Sequence, residues 1–496
     1  MALVTRSAAS AWRAQLAALI LSTSMACAGG SPSDGFGESA DEAYSAGQRL
    51  RSAGDVSGAA SAFRVSIERN PQFVLAAYDL ALALQVLGEE AEALVQAENV
   101  ARLDPHLSGG HVLVAQLSLS LGDAPRALQA ADRALALDGD LSEARMLRGR
   151  ALEAAGSLDE AKATYAELIR RDQDHRQGRL RAAALDLAIG NNREAIQRLS
   201  AFVSQNPDEI EGHLLLGQAL LSSKSYEGAV EAFQAATRLD EGSGEALLGL
   251  GRAHLARGQD QLAVIALQKA IRADDQLADA YVALGEAEYN RGFMDKALEY
   301  VRQARAINSD QVSAFVLEAQ VLERGGDKAG MEKALRRAVE IDPAGEMPSR
   351  QLAERLLEQG RGQEAAAIIE VLAQRGRPSA EALTLGAKAW KAAGQGASAV
   401  ALYRKAHALS GENALLRSLL EIALAAPEAS GLTVEVIVEL AEAHFQGSRE
   451  DDSDAILMLA RAHAAAGAVP RAREILQAAS RRLADPRIEA LLRSLQ

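Results

Sequence analysis

Apolar residues along this chain recur at helical spacing in paired segments of about 13 residues, each pair joined across a turn signal. The signal is glycine, at Gly54, Gly88, Gly122, Gly156 and Gly190, then at Gly258, Gly292, Gly326, Gly360 and Gly394. Lys224 fills the one gap, so eleven consecutive 34-residue units fit from residue 40 to residue 413 without insertion or deletion. Each segment is long enough for three or more helical turns, which predicts two helices per unit. A fixed period in this range marks a stack of like supersecondary units, each covering the apolar face of the next.

Other positions keep step with the glycine. Seven residues before it stands Gly or Ala in every unit, as at Gly47, Ala81, Gly149, Gly217 and Gly285. Five residues after it stands Ala in ten units and Met331 in the other. Nine residues after it the side chain is larger in most units, as at Phe63, Tyr165, Phe233 and Tyr403, though Ala97 and Ala131 are exceptions. Glycine takes a positive φ at little cost, so it ends the first helix and turns the chain into the second. Small residues let two helix axes approach, and the larger residue fills the groove between them. Pro71, Pro105, Pro207 and Pro343 close four units, because proline cannot continue a helix.

The strings Ala-Leu-Gly285, Tyr289, Gly292, Ala297, Ala304 and Leu-Gly217, Tyr226, Ala229, Phe233, Ala236 resemble the tetratricopeptide repeat. The same register runs through residues 40–413, about three-quarters of the chain. Lys224 for Gly, Met331 for Ala and the absence of a family-typical Trp near most unit starts are local departures. The resemblance implies an all-α fold, a right-handed superhelical solenoid of helix-turn-helix repeats.

Past Asn413 the register breaks. Residues 414–452 suggest two further helices, but Glu421 occupies the small-residue position and Pro427 falls in the turn, so this unit reads as a degenerate repeat. The pattern resumes over 453–486 with Ala460, Gly467, Ala472, Leu476 and Ala479. Residues 487–496 are amphipathic and predict a capping helix, since a terminal repeat has no neighbour to cover it.

Composition narrows the class. Apolar residues at 48% suit a buried core, and a 4% share of aromatics with abundant Ala favours close-packed helices over sheet. The net charge of -14 comes without any Lys/Arg block, which argues against nucleic acid as a partner because phosphate binding needs clustered cations. The one cysteine, Cys27, excludes an internal disulfide and a thiolate zinc site.

The first residues read as an address. Arg6 and Arg13 precede an uncharged run from Ala14 to Ser33 with an apolar heart at Leu16–Leu21, the layout of a secretory signal peptide over 1–26. Its apolar part is shorter than the roughly 20 residues that span a bilayer. Ser24-Met25-Ala26-Cys27 resembles a bacterial lipoprotein box, which implies a lipidated Cys27 followed by a flexible Gly/Ser-rich tether to residue 39. Ser24 stands where that family usually has Leu, and the same residues fit an ordinary signal-peptidase site, so a soluble exported protein is the alternative. Ala28 after the cysteine implies, by the same resemblance, the periplasmic face of the outer membrane. Cleavage removes Arg6 and Arg13 and no acid, leaving 51 basic against 67 acidic residues.

Candidate chemistry is sparse. His106 and His111 lie close together but without a metal-binding pattern, Gly249-Leu-Gly251 lacks a third glycine and a preceding strand, and no nucleophile elbow or phosphate loop occurs. The expectation is a non-enzymatic protein with neither metal nor cofactor. In the tetratricopeptide repeat family the binding surface is an inner groove lined by first helices, at the second, fifth, ninth, twelfth and thirteenth places of each unit. By that resemblance the groove residues are Tyr44, Gln48, Tyr78, Gln116, Arg150, Gln218, Arg252, Glu286, Tyr289, Gln320 and Lys388. The second place adds acids at Asp41, Glu143, Glu211, Glu245, Asp279 and Glu381, which also suit a helix N-terminus. Tyr44 and Tyr78 share the fifth place of adjacent units, which sets two aromatics side by side as binding anchors or as packing between first helices. The Lys/Asn pattern with which some family members bind a C-terminal carboxylate is absent from these places.

These readings converge on an exported, lipid-anchored interaction scaffold of the bacterial cell envelope. It would bind a protein partner along the groove, as an accessory factor of a pilus, secretion or polysaccharide-export machine. Polysaccharide is the alternative ligand, disfavoured by the scarcity of aromatic platforms, and a soluble secreted adaptor is the alternative setting. Membrane contact is expected only through the lipid.

Overall fold

The computed structural model describes residues 39–496. The signal segment 1–26, Cys27 and the tether up to residue 38 lie outside the described residues, and so does the question of lipidation. The described residues form 27 α-helices, one short 3-10 helix and no strand. Ser39, the last residue of the expected tether, is instead a helix cap. Its hydroxyl accepts from the backbone N–H of Glu42 while the Glu42 carboxylate accepts from the Ser39 N–H, so two orphan donors are satisfied reciprocally.

The helices keep the period of the glycines. First helices begin at Ala40, Val74, Ser108, Ser142, Arg176 and Ile210, and again from Gly244 at the same interval to Ala380. Second helices run from Val56–Arg69 to Gly396–Ser410 in the same step. All ten turn glycines have φ between 69° and 88°. Lys224 takes φ 61°, and it is the one non-glycine residue with positive φ among the described residues. The turn geometry is therefore imposed by the stack even where the residue does not favour it.

Within a unit the two helices close on one small residue. A Cβ added at Gly47 would stand 2.5 Å from Phe63, and at Gly217 2.7 Å from Phe233. Where the position carries Ala the partner is smaller in most units, as in Ala81 with Ala97, Ala115 with Ala131 and Ala183 with Leu199. The bulkiest rings are thus accommodated mainly against glycine, as close-packed interiors favour, with Ala387 against Tyr403 the exception.

The contacts divide the chain into two compact units, one ending at Asp240 and one beginning at Glu241. In each, the core is a row of clusters and not a single centre. The N-terminal unit links Ala59–Leu147, Met146–Leu185 and Leu180–Ala219. The C-terminal unit continues the same way from Leu247 to Ile488.

The irregular stretch begins when Gly411 (φ 69°) ends a longer second helix. Asn413, counted in the sequence as the end of the eleventh unit, opens the next helix, Asn413–Ala425. Pro427 then starts the 3-10 helix Glu428–Ser430, and Val434–Gln446 follows. Glu421, too large for a helix contact, pairs outward with Lys391 at 3.4 Å. Ser453–Ala465 and Val469–Ser480 restore the helical pair, and Pro486–Ser494 covers its end with Ile488 fully buried.

Candidate functional site

The first helices of the N-terminal unit bring several expected groove residues together. Tyr78, Gln116 and Glu143, from Val74–Leu87, Ser108–Ser120 and Ser142–Ala154, line one pocket of about 190 Å³. Its apolar wall is Leu82, Val112, Leu113 and Leu141, and Gln85 and Ser108 add polar atoms. Burial raises the Tyr78 phenol above its ordinary value, and the carboxylates of Glu143 and Asp79 push it further. Partial desolvation by the groove wall likewise raises the Glu143 carboxyl, which remains exposed.

Tyr44 does not join Tyr78 as a second platform. Its ring packs against Phe73 at 4.9 Å and Phe63 at 5.7 Å. Its hydroxyl donates to Asp79 at 2.9 Å and accepts from Gln48 at 2.8 Å, while Arg51 pairs with Asp79 at 2.7 Å. Burial, with Asp79 next, pushes the phenol up to about 12. Of the two readings of Tyr44, anchor or packing between first helices, these contacts match packing, with the hydroxyl held in a polar clasp. The reason is that Asp79, one place beyond the fifth, captures the hydroxyl.

On the same helix as Glu143, Arg150 is half-buried. Burial lowers its pKa, and the nearby Arg181 lowers it further. The Arg181 charge also reaches Glu153 in the unit before it and Glu211 in the unit after it, opposing the rise that burial causes in both carboxyls. Arg181 and Glu153 escaped the expected set of site residues. Arg181 stands at the sixth place, four residues past the second and three before the ninth, so helical spacing alone would have put it on the same stripe.

The rest of the ladder is spread out. In the C-terminal unit Arg252 pairs with Asp279 at 2.9 Å, and Gln311 donates to the same carboxylate at 3.0 Å. Burial raises the Glu286 carboxyl, Arg252 opposes that rise and Asp260 adds to it. The Tyr289 ring lies under the Arg324 guanidinium at 5.2 Å. Glu381 is paired with Arg350 at 2.8 Å, Gln320 is half-buried, and Gln218 and Lys388 are exposed.

His111 is taken by the carbonyl of Pro105 at 3.1 Å. Among the described residues no group of three His, Cys, Asp or Glu side chains is placed to hold a metal ion, and no helix is long and apolar enough to cross a membrane.

Models of the tetratricopeptide repeat match residues 44–108, 115–176, 180–244, 226–278, 282–346 and 435–495, well over half of the chain. The chain belongs to the tetratricopeptide repeat family. Its all-α helical repeat solenoid is the fold expected of that membership, and such repeats imply a protein–protein interaction scaffold. No curated protein sequence matches the chain. Among solved structures, a tetratricopeptide repeat protein from Parabacteroides merdae is 15% identical, with 50% of this chain and 98% of that one covered and a TM-score of 0.46. The Cut9–Hcn1 hetero-tetramer of the APC/C is 13% identical, with 86% and 96% covered and a TM-score of 0.35. The Pseudomonas aeruginosa protein pilF is 17% identical, with 43% and 96% covered and a TM-score of 0.35.

Proposed function

We propose that this tetratricopeptide repeat protein is a non-enzymatic scaffold of the bacterial cell envelope that binds a protein partner along its first-helix groove. A lipid on Cys27 would hold it at the periplasmic face of the outer membrane, and the partner would belong to a pilus, secretion or polysaccharide-export machine. The observation that carries the binding half is the pocket in which three successive first helices join Tyr78, Gln116 and Glu143. The signal-like run and the lipoprotein-like box carry the envelope half. Two or more acyl chains would anchor firmly, since one alone binds a membrane only marginally.

The test uses the full chain in cells, with a photo-crosslinking residue at Gln116 in the groove or at Val95, which is 59% exposed on a second helix. The native chain is expected in the membrane fraction and Cys27→Ala in the soluble one. Protein adducts are expected from Gln116 and not from Val95. Equal solubility of the two chains would refute anchoring, and equal adducts from both sites would refute the groove.

A further inference from the structure

The pocket on the N-terminal groove has room for one side chain. At about 190 Å³ it is smaller than the ~300 Å³ at which sites for whole small molecules begin. Its walls are a tyrosine ring and aliphatic side chains, Tyr78, Leu82, Val112 and Leu141, and its charged group is the carboxylate of Glu143.

That carboxylate differs from its neighbours. Asp79 is clasped by Arg51, and Asp132 by Arg148 at 2.7 Å. Glu153 and Glu211 each feel Arg181. Glu143 is exposed at the pocket edge without an ion pair, and partial desolvation raises its carboxyl with no cation acting against it. It in turn helps hold the Tyr78 hydroxyl in its neutral form. An exposed carboxylate at the polar edge of an apolar pocket, with no ion-pair partner from its own chain, is free to pair with a cationic ligand.

We propose that this pocket receives a lysine or arginine side chain from an extended segment of the partner, with the apolar stem on Tyr78, Leu82 and Val112 and the cationic head on Glu143. This rests on the protein-binding reading of the groove and assigns the chemistry of the segment it takes. Long basic side chains lay their methylenes along apolar surface while the charge stays at the polar rim, which matches this lining. The Tyr78 ring adds a face on which a cation is attracted. Gln116, one helix across, supplies an amide that can pair with the backbone of an extended peptide.

The experiment pans a random dodecapeptide display library against the full chain, against Glu143→Gln and against Glu143→Lys. Helical content of the variants is checked by circular dichroism. The native chain is expected to enrich one Lys or Arg beside apolar residues. Glu143→Gln should lose that preference, and Glu143→Lys should replace it with Asp or Glu. A selected peptide is then compared with its norleucine analogue by fluorescence anisotropy. The substitution should weaken binding about fivefold on the native chain, equivalent to about 1 kcal/mol, and leave binding to Glu143→Gln unchanged. A native chain that enriches no basic residue, or a preference that survives Glu143→Gln, overturns the proposal. Selected peptides that crosslink at Gln116 yet carry no basic preference overturn it while leaving the groove reading intact. Peptides that crosslink at Val95 and not at Gln116 overturn both.

Discussion

Replacing Gly149 by alanine adds a single methyl group to the middle of a helix, yet the structure predicts that it destabilises the fourth unit. Helix propensity alone favours the change by about 1 kcal/mol, because alanine loses less chain entropy than glycine. Packing opposes it. The new Cβ would lie 2.7 Å from Cζ of Tyr165 and 2.9 Å from Cδ1, against an ordinary carbon contact of about 3.5–4.0 Å. The Tyr165 ring is fully buried and cannot swing into solvent. Overpacking of this kind costs about 1–3 kcal/mol, so a net loss of about 1 kcal/mol is expected. The same chain contains the remedy, since Ala183 faces Leu199 at the corresponding places of the next unit. Tyr165→Leu alone should cost about 2 kcal/mol through the space it leaves against Gly149. Combined with Gly149→Ala it should cost less than the sum, with a coupling of about 1–2 kcal/mol. Repeat arrays need not unfold in one step, so the readout is hydrogen exchange of peptides from 142–154 and 158–171 along a urea series. Greater protection in Gly149→Ala than in the native chain would refute the packing argument. So would strictly additive effects in the double variant.

Lys224→Gly should raise the urea midpoint for residues 210–239 by the equivalent of about 1 kcal/mol, since Lys224 holds φ 61° without the freedom of glycine; a lower midpoint counts against this. Asp186 is only 1% exposed and is held by Lys162 at 2.7 Å and Arg198 at 2.9 Å. Either single alanine substitution should cost under ~1 kcal/mol, while removing both cations should cost about 3 kcal/mol because the carboxylate is left buried and unpaired. Additive losses in urea unfolding would disprove that account. Burial lowers the His444 pKa, opposed by Asp452 and Asp454 and aided by Arg417, while the ring meets Asn413 at 2.8 Å. Because the folded value lies below the unfolded 6.5, its contribution is present above 6.5 and fades as pH falls through the folded value. Exchange protection of 434–446, corrected for intrinsic rate, should therefore drop between pH 7.5 and pH 5. An equal drop in His444→Gln would place the cause elsewhere.

The fold was legible because its determinants are local and repeated. Gly at one place and Gly or Ala seven residues earlier mark the turn and the helix contact, and both are read directly from spacing. The groove was less legible. The fifth place pointed at Tyr78, which lines the pocket, but its twin Tyr44 is taken up by Phe73 at the end of its own unit and Asp79 in the next, partnerships that cross 29 to 35 residues of chain. Arg181 was overlooked because fixed places stood in for the continuous stripe that a helix of 3.6 residues per turn presents.

By itself, then, the sequence determined the period, the helix pairs and the turn conformation. These depend on backbone freedom and side-chain volume within one unit. It also marked where the period fails after Asn413. Only the tertiary structure decided which polar side chains satisfy one another and which remain for a ligand. That choice turns on ångström-scale neighbours from adjacent units. Arg51 lies against Asp79 and leaves Tyr44 locked, whereas no cation reaches Glu143 beside Tyr78. Charge pairing depends on distance and burial in three dimensions, and a one-dimensional repeat does not specify either.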